Sequence, residues 1–357
     1  MSRTALRDYE PRVLNHCHHL VSLLASRCSS TSALDVTPYF KNWGLDIIGD
    51  LGFGKQFGML DSDGTSQQAL YRLSKAKAFQ VLFSTVPWLF TLLGQTVPFV
   101  RSERKKWDQY CLSMLMDKQQ NKSGFSDILS HLVDPDRRKS TDPRVDQRSL
   151  TSDVELAILA GSDTSSSALG SSVFLLGTHP EKLALLQEEL RDKELTNKCL
   201  VGCKILEGVI NEALRLFPPV PSGMTRCTPQ EGMMIAGKWI PGDVDVWTPT
   251  YTIFRDERCF MKPYEFIPER WSSQPELVRR KDAFVPFSTG AYNCAGKQLA
   301  MMELRLMLVL LVKTFDIRVE NNQAIELFTN KPRHRDIFGV DSPGPPLNVI
   351  LTQGDTV

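Results

Sequence analysis

One short stretch constrains this chain more than any other: Phe287-Ser-Thr-Gly290-Ala-Tyr292-Asn-Cys294-Ala-Gly296, followed by Lys297 and an apolar run that ends near Phe315. It reads as an irregular, glycine-punctuated loop that delivers a cysteine to the first turn of a helix. Gly290 and Gly296 permit backbone geometry, or close approach to a bound object, that a side chain would forbid. A helix start presents free N–H groups and a positive dipole end, a setting that suits a thiolate. A thiolate with backbone donors around its sulfur meets the requirement for an axial haem ligand. Taken alone, the cysteine also fits the commoner case of a buried free thiol at a helix start.

Three further motifs precede this loop: Ala160-Gly161-Ser162-Asp163-Thr164, Glu212-Ala-Leu-Arg215, and Phe266-Ile-Pro268-Glu269-Arg270-Trp271. Together with Phe287-x-x-Gly290-x-x-x-Cys294-x-Gly296, and in this order, they resemble the cytochrome P450 family of haem-thiolate monooxygenases. The resemblance covers nearly the whole chain, and the phrasing around the motifs is most like fungal members. It implies a mainly α fold with small β-sheets, built as one domain over residues 1–357. It implies haem b, with Cys294 as the axial iron ligand and Phe287, Gly290, Tyr292, Gly296, Gly161 and Arg226 around the cofactor. Asp163 and Thr164 would form the acid–alcohol pair that delivers protons during oxygen activation. Glu212, Arg215 and Arg270 would be a buried structural trio that holds the haem loop in place. The implied reaction places one oxygen atom of O2 on a small lipophilic organic substrate, with electrons from an NADPH-dependent cytochrome reductase. A full-length relative would work on the cytosolic face of the endoplasmic reticulum membrane.

Two departures from the family pattern stand out. The family's membrane anchor, first small sheet, early helices and Trp-x-x-x-Arg motif have no counterpart here. The resemblance therefore starts at the fourth large helix and implies a chain shortened at its N-terminus. Tyr292 also stands two residues before the cysteine, where the family often has a basic residue, and a tyrosine brings one hydrogen bond without charge. Both departures thin the anchoring of the haem propionates. They keep open a rival reading, a non-catalytic remnant that does not retain haem. A haem isomerase or dehydratase is a third reading, against which the Asp163–Thr164 pair argues.

The bulk properties exclude other classes. With 357 residues, 42% hydrophobic and 23% charged, the chain is an ordinary globular protein able to bury a large core. A net charge of +1 gives no argument for nucleic acid. Eight scattered cysteines form no disulfide framework, so those other than Cys294 read as reduced, in a cytosolic setting. The polar start Met1-Ser-Arg-Thr is no targeting segment, and Phe79–Val100, broken by Pro87, Gln95 and Pro98, is a poor spanning helix.

In order along the chain, a helix is expected from Leu6 to Leu24, with Pro11 near its start, and a second from the Asp35-Val-Thr-Pro38 signal to Leu51. The His16-Cys17-His18-His19 cluster lacks metal-ligand spacing. Phe79–Val100 and the basic Arg101–Lys106 would form an apolar hairpin able to touch a bilayer. Lys122–Ser149 reads as a surface connection, and Ser149–His179 as a long central helix. On that helix Gly161, Thr164 and Ala168 share one side, a stripe that would admit a flat cofactor. The residues alone also allow a threonine bonded back to its own helix and a solvated aspartate. Further helices are expected from Pro180 to Leu190, around Glu212–Arg215, and from Cys294 to Phe315. A loop is expected over Thr196–Cys203, an extended segment over Phe217–Met224, and two strands in Met233–Thr250 hinged at Pro241–Gly242.

Overall fold

A computed structural model describes residues 3–29, 32–61, 92, 96–120, 127–132, 143–320 and 347–353. In chain order the helices are α1 (Arg3–Arg27), α2 (Thr37–Ile47), α3 (Pro98–Gln120), α4 (Ile128–Leu132), α5 (Pro143–Thr178), α6 (Pro180–Leu190), α7 (Asn197–Leu200), α8 (Lys204–Leu216), α9 (Thr250–Ile253) and α10 (Lys297–Thr314). The strands are β1 (Leu34–Asp35), β2 (Arg226–Cys227), β3 (Met233–Ile235), β4 (Lys238–Ile240), β5 (Asp245–Val246), β6 (Phe315–Val319) and β7 (Asn348–Gln353). The protein is mainly α with small antiparallel sheets, as the sequence implied. No described helix is long and apolar enough to cross a membrane. Most of the apolar hairpin expected over Phe79–Val100 lies outside the described residues.

The first two helices follow their sequence signals. On α1, Tyr9, Val13, Cys17, Leu20 and Leu24 recur at helical spacing, and all are buried. Pro11 lies inside this helix rather than at its start. Asp35 Oδ1 accepts the Thr37 N–H at 3.0 Å, and Pro38 occupies the first turn of α2. α2 then widens into a π turn over Ile48–Gly52. The clustered histidines of α1 go separate ways. His16 Nε2 lies 3.2 Å from Asp50 Oδ2, and His19 Nε2 lies 2.9 Å from Asp61 Oδ1.

Several expectations need correction. The presumed connection over Lys122–Ser149 contains α4 and the beginning of α5. Thr196–Cys203 holds the one-turn helix α7, started by Thr196 Oγ1, which accepts the Cys199 N–H at 3.3 Å. The β3–β4 hairpin turns at Ala236–Gly237, not at Pro241–Gly242. Both turn residues have positive φ, 49° and 78°, the twist that a two-residue hairpin requires. β5 leaves that hairpin and pairs with β2.

The core is built around α5 and α10. α10 is buried on all sides from Met301 to Val312, which is why its sequence shows an apolar run without an amphipathic rhythm. It packs with α1, α2, α5, α6 and α8 into one cluster, closed by Phe315, Ile317, Val349 and Leu351 of the β1-β7-β6 sheet. A second cluster joins Leu45, Ile48 and Phe53 to Trp107, Cys111 and Leu115 of α3, Leu129 of α4, and Val154 and Ile158 of α5. α5 runs through both.

The serine-rich middle of α5 makes close approach possible. A Cβ on Gly44 of α2 would lie 2.5 Å from Ser166 Oγ and 2.6 Å from Ser162 O, so the two helices touch backbone to backbone. Three of the buried serines find acceptors inside the helix or on its neighbour. Ser162 donates to Ile158 O at 2.7 Å, Ser166 to Ser162 O at 2.7 Å and Phe40 O at 2.9 Å, and Ser172 to Ala168 O at 2.8 Å. Ser165 reaches across instead, donating to Glu303 Oε2 of α10 at 2.7 Å.

Glu303 is the costly group in this core. Burial pushes its carboxyl up from 4.5 to about 7, with the Ser165 hydrogen bond opposing. The folded state therefore keeps a proton that the unfolded chain has already released. Stability from this group is full below the unfolded value and is lost as pH rises through the folded one. A shift of this size corresponds to on the order of 3 kcal/mol, lost between about pH 4.5 and pH 7. Urea unfolding of the wild type should weaken across that window, whereas Glu303→Gln should show a clearly flatter dependence. Parallel curves for the two proteins would contradict this origin.

Candidate active site

The cysteine loop owes its shape to two left-handed residues. Ser288 has φ 58° and Gly290 φ 77°, and between them Thr289 is extended. Gly290–Tyr292 forms a single 3-10 turn, after which Asn293 is again extended. The Cys294 N–H donates to Phe287 O at 2.9 Å and closes the loop on itself. Gly296 is the N-cap of α10, so Cys294 lies two residues before the cap rather than in the first helical turn. Its sulfur nonetheless stays beside the helix start, 3.8 Å from where a Gly296 Cβ would be. Nothing lies within 4 Å of a Cβ placed on Gly290.

All eight cysteines are free, and their settings differ. Cys17, Cys111 and Cys203 are buried, and burial pushes their thiols up. Cys294 is exposed, in a run of exposed residues from Thr289 to Ala295. Phe287 is half-buried, with Lys297 Nζ 5.7 Å from its ring centre. Tyr292 is 80% exposed, and the guanidinium of Arg226 stands 5.8 Å over its ring. The structure thus brings Arg226 to the cysteine loop. Arg226 donates to Thr225 O at 2.9 Å and has no acidic partner among the described residues.

The support behind the loop is a buried ion network. Glu212 and Arg215 lie on one face of α8, and Arg270 sits on a 3-10 turn, Pro268–Trp271. Arg215 donates to Glu212 from Nε at 2.9 Å and Nη2 at 2.8 Å, and Arg270 Nε donates at 2.8 Å. Trp271 Nε1 at 3.0 Å and the Ile267 N–H at 3.1 Å complete the shell, two donors that the trio alone did not announce. The arginines also hold backbone carbonyls. Arg215 Nη1 takes Phe254 O and Pro263 O, while Arg270 takes Met261 O and Lys262 O. The ring of Trp271 then lies tilted, 4.3 Å from the ring of Phe284, three residues ahead of Phe287. Gly208 was not foreseen either. A Cβ there would lie 2.4 Å from Pro268 O, so only glycine lets α8 meet the 3-10 turn.

The acid–alcohol pair stands elsewhere on α5. Thr164 Oγ1 donates to Ala160 O at 2.6 Å, and Asp163 beside it is half-buried. The stripe expected at Gly161, Thr164 and Ala168 is divided. Ile48 fills the notch at Gly161, and Ala168 is buried in the main core. A different row, Leu156, Ala160 and Thr164, recurs every four residues, with Leu156 55% exposed. The pair connects to α10 through the neighbouring Ser165–Glu303 hydrogen bond. The Phe217–Met224 segment turns rather than running extended, with Thr250 Oγ1 donating to Val220 O at 2.6 Å.

Glu212, Arg215 and Arg270 have fully buried side chains, so deleting the shared carboxylate strands two guanidiniums. Glu212→Ala should cost on the order of 3–5 kcal/mol, read as a lowered urea midpoint. A change under about 1 kcal/mol would mean that the network is dispensable.

Comparison with known proteins gives the family. The family model for cytochrome P450 matches residues 1–346. The chain is 39% identical over 323 residues to cytochrome P450 monooxygenase nodW of Hypoxylon pulicicidum, covering 89% of this chain and 59% of that protein. It is 32% identical over 361 residues to cytochrome P450 monooxygenase FCK2 of Fusarium pseudograminearum, covering 99% and 64%. It is 33% identical over 321 residues to tryprostatin B 6-hydroxylase of Neosartorya fischeri, covering 88% and 58%. The chain thus spans about three fifths of the length of such curated relatives. With four motifs in order, a free cysteine in an open glycine loop and a family match over nearly its whole length, this chain belongs to the cytochrome P450 family.

Proposed function

We propose that the protein is a haem-dependent monooxygenase that places one oxygen atom of O2 on a small lipophilic organic substrate, with electrons from an NADPH-dependent cytochrome reductase. The observation that carries this reading is Cys294, an exposed thiol beside the helix start, in a loop with open space at Gly290. Haem b fits these residues. Cys294 Sγ would ligate the iron, Phe287 would pack beside it, and Gly290 and Gly296 would keep side chains out of the way. Gly161 would contribute from behind the site, through the path of its backbone. When bound, the haem supplies oxygen binding and activation, and an anionic sulfur ligand favours oxygen–oxygen cleavage.

The chain's own groups supply the rest. Arg226 offers a positive charge to a propionate, and Tyr292 offers a hydroxyl. Leu156 and Ala160 give an apolar surface for a lipophilic substrate, two turns and one turn before Thr164 respectively. Because the Thr164 hydroxyl donates to Ala160 O, its oxygen keeps lone pairs free to accept from a water. Asp163 is the adjacent acid that can pass protons inward from solvent. A relative that carries the name of a hydroxylase supports oxygen insertion as the reaction. Family resemblance also supports a place on the cytosolic face of the endoplasmic reticulum membrane.

Cys294→Ala should abolish the thiolate-type Soret band of the reduced carbon monoxide complex. Cys199→Ala and Cys203→Ala should leave it unchanged. A thiolate band surviving in Cys294→Ala would sink the ligand assignment, and no band in any version would favour a remnant that does not hold haem.

In haem-loaded protein, Thr164→Ala should shift consumed oxygen from product to hydrogen peroxide. Positioned proton transfer is worth roughly 10²–10⁴-fold, so the ratio should move well beyond error. An unchanged ratio of peroxide to product would remove Thr164 from proton delivery.

A further inference from the structure

Between α1 and α5 lies a contact that no sequence motif announces. The π turn Ile48–Gly52 is a rare form of helix, one that recurs at functional sites. Here the turn is held from α1. Arg12 donates from Nε to Asp50 Oδ2 at 3.2 Å, from Nη2 to Asp50 O at 2.8 Å, and also to Oδ1. His16 Nε2 completes the cluster, 3.2 Å from Asp50 Oδ2. Burial pushes the Asp50 carboxyl up, but hydrogen bonds from His16 and Arg12 override it and hold the group at about 2.

The other side of the same turn presents Ile48 to α5. A Cβ on Gly161 would lie 2.7 Å from Ile48 Cδ1 and 3.0 Å from Cγ1. A Cβ on Gly52 would lie 3.3 Å and 3.5 Å from those two atoms. Ile48 therefore lies against two glycines, in space that a side chain at Gly161 would invade and one at Gly52 would crowd. Gly161 opens the turn that carries Asp163 and Thr164, directly after Ala160, whose carbonyl receives the Thr164 hydroxyl. A shift of the backbone at Gly161 moves both ends of that hydrogen bond.

We propose that Ile48 is a positioning residue for the Asp163–Thr164 pair. Seated between Gly52 and Gly161 and tied to α1 through Arg12, His16 and Asp50, it sets how closely the π turn and α5 approach. In doing so it sets where Thr164 stands. The proposal rests on the reading of Thr164 as a proton-handling group, whereas the contact itself can be tested without cofactor.

The test is a size-exchange cycle of Gly161→Ala, Ile48→Ala and the double variant, with Asp50→Asn alongside. One readout is amide hydrogen exchange over residues 160–166 in the chain as expressed. The other is the peroxide share of consumed oxygen in haem-loaded protein. Gly161→Ala should speed exchange there by roughly tenfold or more, despite the better helix propensity of alanine, and should raise the peroxide share. The double variant should return both readouts to within about twofold of wild type. The reason is that Ile48→Ala removes Cδ1 and Cγ1 and leaves its Cβ 3.6 Å away. Asp50→Asn should speed exchange by about threefold or more, by loosening the turn. Additive effects on either readout, or unchanged exchange in Asp50→Asn, would overturn the proposal. Should Gly161→Ala fail to fold, a folded double variant supports it and an unfolded one overturns it. Absence of a thiolate band from the wild-type protein would count against the monooxygenase reading instead, because the exchange cycle does not use haem.

Discussion

The site depends first on a buried carboxylate that takes five donors. Glu212 accepts two hydrogen bonds from Arg215 and one each from Arg270, Trp271 and the Ile267 N–H. A carboxylate taken this far from water is tolerable only when its lone pairs are fully used. The arginines are needed for a second reason. The segment from Phe254 to Glu265 is largely irregular, so its buried carbonyls have no ladder to join, and guanidinium forks reach Phe254, Met261, Lys262, Pro263 and Glu265. One ion network thereby fixes α8, an irregular loop and the 3-10 turn together. Through Trp271 and Phe284 it reaches the strand of chain that becomes the cysteine loop.

The second constraint is that α5 serves two masters on two faces. Gly161, Ser162, Ser165 and Ser166 face neighbouring protein, and they are small because α2 and α10 come close. Leu156, Ala160 and Thr164 form a separate row that is less covered. Serine suits the packed face because its hydroxyl can bond back to the carbonyl four residues earlier and leave no orphan. A larger apolar residue would push α2 away. An alanine would fit at less cost in polar burial, but only Ser165 can meet Glu303.

Packing therefore ties the two halves of the candidate site. Cys294 begins the segment leading into α10, Glu303 lies along that helix, and Ser165 joins it to the turn after Thr164. The Ile48 contact comes at the same turn from the other direction. The acid–alcohol pair is thus braced from α10 on one side and from the π turn on the other, both through residues of the Gly161–Ser166 stretch.

The candidate chemistry could be proposed from local sequence, because it depends on residue types at short spacing. Cys294 between glycines, Asp163 next to Thr164, and Glu212 three residues from Arg215 are all local statements, and so was the helical character of the chain. Other features were not local. The helix at Ile128–Leu132 and the hairpin turn at Ala236–Gly237 escaped because periodicity and turn propensity are weak over a few residues. The stripe at Gly161 was read as room for a cofactor, and the notch instead belongs to Ile48, more than a hundred residues earlier in the chain. A glycine says only that something comes close, and the sequence cannot name what. The sequence by itself nominated the groups proposed for the chemistry. Which neighbours hold them was decided by long-range packing, where backbones meet across helices far apart in the chain.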